Sequence, residues 1–156
     1  MKLIPDLKEF IELLNLENVR YLVIGGWAIN RYAEPRFTGD IDFFVSDSKE
    51  NEDRLRLVLT KFGFGSALPQ GQKLFAKKII MLGRPPNRID LLSSISGVDF
   101  NEAYPRGQKG RLDGIDVMFI SKEDLIKNKL AAGREKDLLD IKAMEKFNPF
   151  IVKNTV

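Results

Sequence analysis

The sequence predicts an α/β fold, because short apolar runs typical of buried strands alternate with longer segments of helical periodicity. Residues 20–26 (RYLVIGG) form a nearly all-apolar run that ends in two glycines, as a buried strand does before a turn. The preceding residues 5–19 carry a proline suited to a first helical turn, followed by apolar side chains at helical steps: Leu7, Phe10, Ile11 and Leu14. A first helix and a first strand are therefore expected here.

The alternation continues through the next forty residues. Residues 27–32 are expected to form a helix that starts at the second glycine, and residues 41–45 a second buried strand. Residues 49–62 predict a longer helix, because one face carries only apolar side chains: Leu55, Val58, Leu59 and Phe62.

The following segment predicts paired strands. Residues 73–82 are expected to form a strand, residues 83–87 (GRPPN) a turn, and residues 88–92 the partner strand. Residues 106–120 indicate a hairpin centred on Asp113-Gly114, a dipeptide typical of tight hairpin turns.

The chain then predicts a C-terminal helix pair. Ser121 and Asp124 form a Ser-x-x-Asp capping pattern ahead of an apolar run, so a helix is expected to begin after Ser121 and to break near Gly133. A last helix is expected over residues 135–147, ending before Pro149. No linker-like segment separates these elements, so we expect residues 1–156 to form a single domain.

Composition limits the chemistry. The chain has 44% hydrophobic and 30% charged residues and contains neither cysteine nor histidine. Disulfides, thiolate or imidazole metal sites and Ser-His-Asp triads are therefore excluded, and a catalytic metal should be a hard cation such as Mg²⁺ or Mn²⁺. No apolar run approaches the ~20 residues that span a bilayer, and the N-terminus lacks a signal-peptide pattern. We expect an intracellular, cytoplasmic protein.

Two aspartates alternate at the start of the second predicted strand. Asp40 and Asp42 share one face of that strand, while Ile41, Phe43 and Val45 point into the core. Two carboxylates about 7 Å apart along a strand repel each other unless a positive charge lies between them. A divalent cation would provide that charge; alternatively, the pair marks the solvated side of a strand start.

Asp90 is the candidate third carboxylate. It lies between Ile89 and Leu91 in a predicted strand, where an acidic side chain is costly unless it is paired or metal-bound. Two interpretations stay open: Asp90 completes a metal site, or it pairs with Arg88 or Arg84. Asp116 shows the same local pattern.

Other candidate residues flank these aspartates. Gly25-Gly26 lies where a strand turns into a helix, so its amides are suited to phosphate; the alternative is a plain tight turn. Arg36 and Thr38 lie on the loop before the aspartates, and Lys129 lies near a helix end. Each could contact phosphate or be an ordinary solvated residue. Charged residues farther along, including an i,i+4 pair of Lys136 and Asp140, are typical of a solvated helix face.

In combination the motifs resemble the nucleotidyltransferase superfamily that shares its catalytic core with DNA polymerase β. The chain has GG-x-A, then R-x-T-x-DID, then K-L-x-x-x-R-x-K-D-L-x-D-I. This order is similar to the small AbiEii-like branch. The matching residues are Gly25, Gly26, Ala28, Arg36, Thr38, Asp40, Ile41, Asp42, Lys129, Leu130, Arg134, Lys136, Asp137, Leu138, Asp140 and Ile141.

The resemblance implies a nucleotidyltransferase fold, a mixed sheet flanked by helices, and transfer of a nucleoside monophosphate from an NTP to an acceptor hydroxyl. It implies that Asp40 and Asp42 bind two Mg²⁺ ions, with Mn²⁺ as the alternative. Asp90 would complete the second site and help to deprotonate the acceptor. These three aspartates are the implied catalytic and metal-binding residues.

The same resemblance implies that Gly25, Gly26, Arg36, Thr38 and Lys129 bind the nucleotide, with ATP as the expected NTP. The acceptor is left open among a small molecule, a protein and tRNA. Family members that modify antibiotics are expected to carry an additional helical domain that this chain lacks, so a homodimer or a partner protein is also expected. The alternative function is a catalytically silent nucleotide-binding or toxin–antitoxin interaction module of the same fold.

Overall fold

A computed structural model describes residues 2–68, 71–76 and 78–147. Its helices are α1 (Pro5–Leu16), α2 (Gly25–Tyr32), α3 (Lys49–Leu59), α4 (Phe100–Ala103), α5 (Lys122–Ala132) and α6 (Glu135–Lys146). Its strands are β1 (Tyr21–Ile24), β2 (Ile41–Val45), β3 (Ile79–Leu82), β4 (Ile89–Leu92), β5 (Gln108–Leu112) and β6 (Ile115–Phe119). Short π and 3₁₀ turns occupy Thr60–Phe64, Gly65–Ala67 and Tyr104–Arg106.

The strands form a six-stranded sheet in the order β3-β4-β2-β1-β6-β5. β2 pairs in parallel with β4, and β1 pairs in parallel with β6, whereas the β1–β2, β3–β4 and β5–β6 pairs are antiparallel. The sheet is therefore mixed and flanked by helices, and the predicted fold class is confirmed.

Helices cover both faces of the central strands. On one face Phe10 of α1 packs against Phe43 of β2 with ring centroids 5.8 Å apart. On the other face Phe44 meets Phe100 of α4 edge to face at 5.1 Å. Because Phe43 and Phe44 are adjacent and both buried, the two faces of β2 are closed along most of the strand. The inward orientation of Ile41, Phe43 and Val45 is confirmed, since all three are inaccessible to solvent.

Most predicted elements are present, although several differ in length and α4 lies where no element was predicted. The strand predicted over residues 73–82 begins only at Ile79, because Leu74 and Phe75 lie in a turn that buries both side chains. The helix predicted over residues 49–62 ends at Leu59, and Gly63, with φ 103°, breaks the turn that follows.

The C-terminal elements agree with the sequence. The hairpin turns at Asp113-Gly114. The Ser121 hydroxyl accepts a hydrogen bond from the Asp124 amide at 3.1 Å and so caps α5. Gly133 ends α5 in a left-handed conformation. The last helix ends at Lys146, while Pro149 lies outside the described residues. Within the described part of the chain, no helix is long and apolar enough to cross a membrane.

Asn51 ties α3 to the sheet. Its side-chain oxygen accepts from the Arg20 amide at 2.7 Å, and its Nδ2 donates to the carbonyls of Arg20 (3.2 Å) and Ser46 (2.8 Å). The side chain is buried, with 1% exposure. It binds main-chain groups just outside the two central strands, at Arg20 before β1 and at Ser46 after β2.

Replacing Asn51 with Ala should lower the free energy of unfolding by about 3 kcal/mol, because buried main-chain groups lose their partners. Urea denaturation measures this change. Asn101→Ala is the matched control, since Asn101 is exposed, and it should change stability by less than about 0.5 kcal/mol. Equal losses in both variants would contradict the assigned role of Asn51.

Candidate active site

The parallel pairing of β2 with β4 brings two predicted site residues together. Asp42 and Asp90 are direct register partners, so their side chains leave the same face of the sheet, on strands about 4.8 Å apart. Asp90 is buried, with 7% exposure. Asp40 lies just before β2, and its Oδ1 accepts a hydrogen bond from the Arg88 amide at 2.8 Å. The three aspartates are therefore gathered at the start of two neighbouring strands.

Arg88 is the cation beside these carboxylates. Its Nε donates to Asp90 Oδ1 at 2.8 Å and its Nη2 donates to Asp90 Oδ2 at 3.0 Å. The bidentate pair shows that Asp90 pairs with Arg88, one of the two partners expected from the sequence. Because Arg88 also binds Asp40 through its main chain, this one residue contacts two of the three aspartates.

The negative charge is incompletely balanced at Asp42. Burial is the first cause that raises the pKa of Asp42, to about 6; Asp90 and Asp40 raise it further, while Arg88 lowers it. The carboxyl group therefore holds a proton more readily than an ordinary aspartate does. An excess of carboxylate oxygens at a buried position is the chemistry that favours a hard divalent cation.

The donor set fits Mg²⁺ or Mn²⁺, although the observed arrangement is not a preformed cage. Across the described residues, no group of three or more acidic side chains is arranged so that it could hold a metal ion. The guanidinium of Arg88 engages both oxygens of Asp90. A cation that used both oxygens of Asp90 would therefore have to displace this guanidinium.

The glycine pair lies against the aspartates. Gly25 has φ +66°, and a Cβ at this position would overlap the carboxylate of Asp42. A Cβ at Gly26 would come within 2.6 Å of the Thr38 hydroxyl. α2 begins at Gly25, so the first free amides of this helix lie beside Asp42. Close packing, and not only a tight turn, therefore requires both glycines.

A cleft of about 500 Å³ opens over Asp42 and Asp90. It brings Gly25, Asp42, Asp90 and Lys129 together, whereas Arg36 and Thr38 line a separate cavity of about 400 Å³. The cleft also contains residues that sequence reasoning did not select as site residues. Its lining consists of Ile24, Gly25, Asp42, Asp90, Leu92, Ser94, Ile95, Ser96, Asn128, Lys129, Ala132 and Arg134.

Lys129 is held by two buried aspartates. Its Nζ donates to Asp137 Oδ1 and to Asp140 Oδ2, each at 3.2 Å. Arg36 binds the other oxygen of Asp140 at 2.9 Å, and Arg134 binds Asp137 through Nε at 2.7 Å. We call these five residues the C-terminal charge network. Asp137 and Asp140 are buried (0% and 7% exposed), so the prediction of a solvated face was wrong for them.

The predicted ion pair between Lys136 and Asp140 was wrong. Asp140 faces inward and binds Lys129 and Arg36 in place of the surface i,i+4 partner Lys136. Arg134 is the first cause that holds the pKa of Asp137 at about 2, with a further contribution from Lys129. The ionised form of Asp137 is thus stabilised in the folded state by its two cationic partners.

Comparison with known proteins identifies the family. The model for "Nucleotidyltransferase of unknown function (DUF6036)" matches residues 2–148. The chain belongs to this nucleotidyltransferase family. The resemblance to the nucleotidyltransferase superfamily is therefore confirmed, while its AbiEii-like branch stays a prediction. No curated protein is significantly similar to the chain in sequence.

Two solved structures share the fold of this DUF6036 protein. The lincosamide antibiotic adenylyltransferase LnuA, in its lincomycin-bound crystal structure, matches with TM-score 0.57 and 16% identity over 94% of this chain and 99% of that chain. The solution structure of the antibiotic-resistance factor ANT(2'')-Ia matches with TM-score 0.55 and 15% identity over 89% and 80% of the chains.

The length of the LnuA match corrects one expectation. Since the match covers 99% of the LnuA chain, that antibiotic-modifying protein has no large additional helical domain in its chain. The expectation that antibiotic-modifying relatives carry such a domain is therefore wrong as a general rule.

Replacing Gly25 with Ala should destabilise the fold more than replacing Gly114 with Ala, because only at Gly25 would the new Cβ overlap the carboxylate of Asp42. Gly114 has φ +78° and no neighbouring atom within 4 Å of a built Cβ, so Gly114→Ala isolates the backbone strain of about 1–2 kcal/mol. Gly25→Ala should cost a further 1–3 kcal/mol from overpacking. Urea denaturation compares the two, and equal costs would contradict the close approach to Asp42.

Lowering the pH should destabilise the protein through Asp137. Its folded pKa of about 2 lies below the unfolded value of 3.8, so its stabilising contribution is complete above pH ~4 and is lost as the pH falls towards 2. Urea denaturation between pH 6 and pH 2.5 measures the slope. Asp137→Asn should be less stable at pH 6 and should show a shallower acid slope, whereas exposed Asp53→Asn should retain the wild-type slope.

Proposed function

We propose that this protein is a Mg²⁺-dependent nucleotidyltransferase that transfers a nucleoside monophosphate, with ATP as the preferred donor, to an acceptor hydroxyl. Family membership establishes the general activity class. The observation that carries the detailed proposal is the register pairing of Asp42 with Asp90 in the floor of a cleft that Lys129 also lines. Carboxylates and a cation on one cleft are the chemistry that phosphoryl transfer needs.

The phosphate tail is assigned to the Gly25 side of the cleft. The first amides of α2 are free to donate, because the first turn of a helix has no internal acceptors. Lys129 Nζ has three donors, and two of them bind Asp137 and Asp140. The third donor is available to a phosphate oxygen, and the two aspartates fix the amine in place.

Arg36 and Thr38 act indirectly in this proposal. Arg36 binds Asp140, so it contributes by positioning the aspartate that holds Lys129. Thr38 contributes by packing against Gly26. Both residues lie on the loop that leads into Asp40, and they support the nucleotide site without facing the cleft.

The nucleoside is assigned to the polar wall formed by Ser94, Ser96 and Asn128. Asn128 Nδ2 donates to the Ser96 carbonyl at 3.0 Å, which fixes the loop against α5. Both serine residues and Asn128 line the cleft, and hydroxyl and amide groups there can hydrogen-bond to ribose or base. No sequence motif distinguished these residues, because their common location arises only from the fold.

Asp40, Asp42 and Asp90 would hold the metal once Arg88 releases Asp90. Bound Mg²⁺ supplies positive charge that stabilises the reacting phosphate. In the reaction the acceptor oxygen attacks the α-phosphorus, the bond from this phosphorus to the bridging oxygen of the β-phosphate breaks, and pyrophosphate leaves. Asp90 accepts the proton of the acceptor hydroxyl and passes it to solvent.

A catalytically silent nucleotide-binding module is the second candidate, favoured by the Arg88–Asp90 pair that occupies the third carboxylate. Titrating ATP with and without Mg²⁺ separates the two functions. Binding without pyrophosphate release, across small alcohols, proteins and tRNA as acceptors, would favour the silent module. A homodimer, a partner protein and a toxin–antitoxin role stay predictions, as does the cytoplasmic location.

Asp40→Asn and Asp42→Asn should each lower the rate of labelled AMP transfer at least about 100-fold, since changes even to groups around metal ligands cost 10–100-fold. Both variants should remain folded by circular dichroism. The matched control is Asp116→Asn, because the Asp116 side chain is 82% exposed and pairs only with Arg111 in the described structure. Full transfer by Asp40→Asn or Asp42→Asn would show that the site assignment is wrong.

A further inference from the structure

We propose that the acceptor binds on the exposed face of β3, over Met81 and Ile79, and that it is a small alcohol with an apolar face. This inference rests on the proposed nucleotidyl transfer and identifies the class of molecule that receives the nucleotide. It is carried by the strand register, by the direction of the transfer reaction and by the exposure of two apolar side chains.

The register forms one row of residues across the sheet. Ile24 pairs with Asp42, Asp42 pairs with Asp90, and Asp90 pairs with Met81. Directly paired residues project from the same face, about 5 Å apart. Met81 therefore lies immediately beside Asp90, on the side away from Asp42. Ile79 pairs with Leu92, which lines the cleft, and so it shares this face.

The order of the residues along this row agrees with the direction of the proposed transfer. Gly25 follows Ile24 at one end, where the phosphate tail is assigned, and Met81 lies at the other end. In-line displacement places the attacking oxygen opposite the leaving pyrophosphate. With the leaving group on the Gly25 side, the acceptor approaches from the side of Asp90 and Met81.

The exposure of this face is unusual for an edge strand. Met81 is 57% exposed and Ile79 is 40% exposed, whereas Leu82, on the opposite face, is 7% exposed. Apolar side chains on a free edge strand favour aggregation and are commonly replaced by charged residues. Here they lie next to a catalytic carboxylate, where a bound acceptor would cover them.

The size and the apolar character of the surface indicate which class of acceptor binds there. Two side chains cannot provide the ~800 Å² per partner of a stable protein interface, so a small molecule fits better than a second copy. A flexible methionine adapts to rings and alkyl groups of varied shape. Neither apolar side chain can pair with a charged group, so a charged acceptor would lose hydration on this face without compensation. An uncharged aryl or alkyl alcohol satisfies these conditions better than a polyol.

Methyl NMR tests the site without requiring activity. The chain contains four methionines, and Met81→Gln identifies the Met81 signal in a ¹³C-methyl-methionine spectrum. Millimolar 2-phenylethanol should shift the Met81 signal and leave that of buried Met144 unchanged, while glycerol should shift neither. No shift at Met81, or equal shifts with both alcohols, would overturn the proposal. A shift with a single-stranded RNA hexamer but not with 2-phenylethanol would assign the surface to nucleic acid instead and overturn it as well.

Kinetics tests the same surface during transfer. With labelled ATP, the ratio of kcat/KM for 2-phenylethanol to kcat/KM for glycerol should exceed one and should fall about tenfold in Met81→Gln and in Ile79→Thr. Leu139→Gln is the matched control, because Leu139 is 60% exposed on α6, and it should keep the wild-type ratio. An unchanged ratio in the β3 variants, or an equal fall in the control, would overturn the inference.

Failure of this inference can be separated from failure of the proposed function. If pyrophosphate release depends on Asp42 but its acceptor preference is insensitive to Met81 and Ile79, nucleotidyl transfer stands and the acceptor site is wrong. If no acceptor supports pyrophosphate release and Asp42→Asn leaves ATP binding unchanged, the proposed function itself is wrong.

Discussion

The site depends on the repulsion between neighbouring carboxylates on paired parallel strands. Asp42 and Asp90 are held in register by the main chain, so neither can move away without disrupting the centre of the sheet. Arg88 offsets part of the repulsion through Asp90, while burial first, and then Asp90 and Asp40, raise the pKa of Asp42. Holding like charges together in this way favours the binding of a further cation, which is the physical basis of the proposed Mg²⁺ site.

The C-terminal charge network is the counterpart of this acidic cluster. Burying ions is costly unless every charge is paired, and here Lys129 lies between Asp137 and Asp140, each of which has an arginine as a second partner. The network joins α5, α6 and the loop before β2. Because Lys129 lines the cleft, these contacts also fix the position of a positive charge opposite the aspartates. One set of ion pairs therefore serves both the fold and the site.

Sequence reasoning was most accurate where a local pattern is sufficient to define an element. The hairpin at Asp113-Gly114 and the helix between Ser121 and Gly133 have local turn and cap signals, and both were confirmed. It was wrong where the tertiary fold overrode the pattern. Leu74 and Phe75 are buried in a turn, whereas their apolar run predicted a strand. The inward orientation of Asp140 was likewise hidden, because its partners lie on other elements.

The sequence by itself determined the chemistry that is available: without histidine or cysteine, the reactive groups are carboxylates, hydroxyls, amides and basic side chains. The Gly-Gly and Asp-x-Asp motifs predict where the site lies. The sequence also predicted the order of the helices and strands except for α4, since periodicity and turn residues act locally. Only the tertiary structure decided which charges meet. The Asp42–Asp90 register, the contact of the Arg88 amide with Asp40, the polar wall at Ser94, Ser96 and Asn128, and the exposed Met81 beside Asp90 each depend on pairing or packing between different elements of the fold. Local sequence patterns do not specify that pairing.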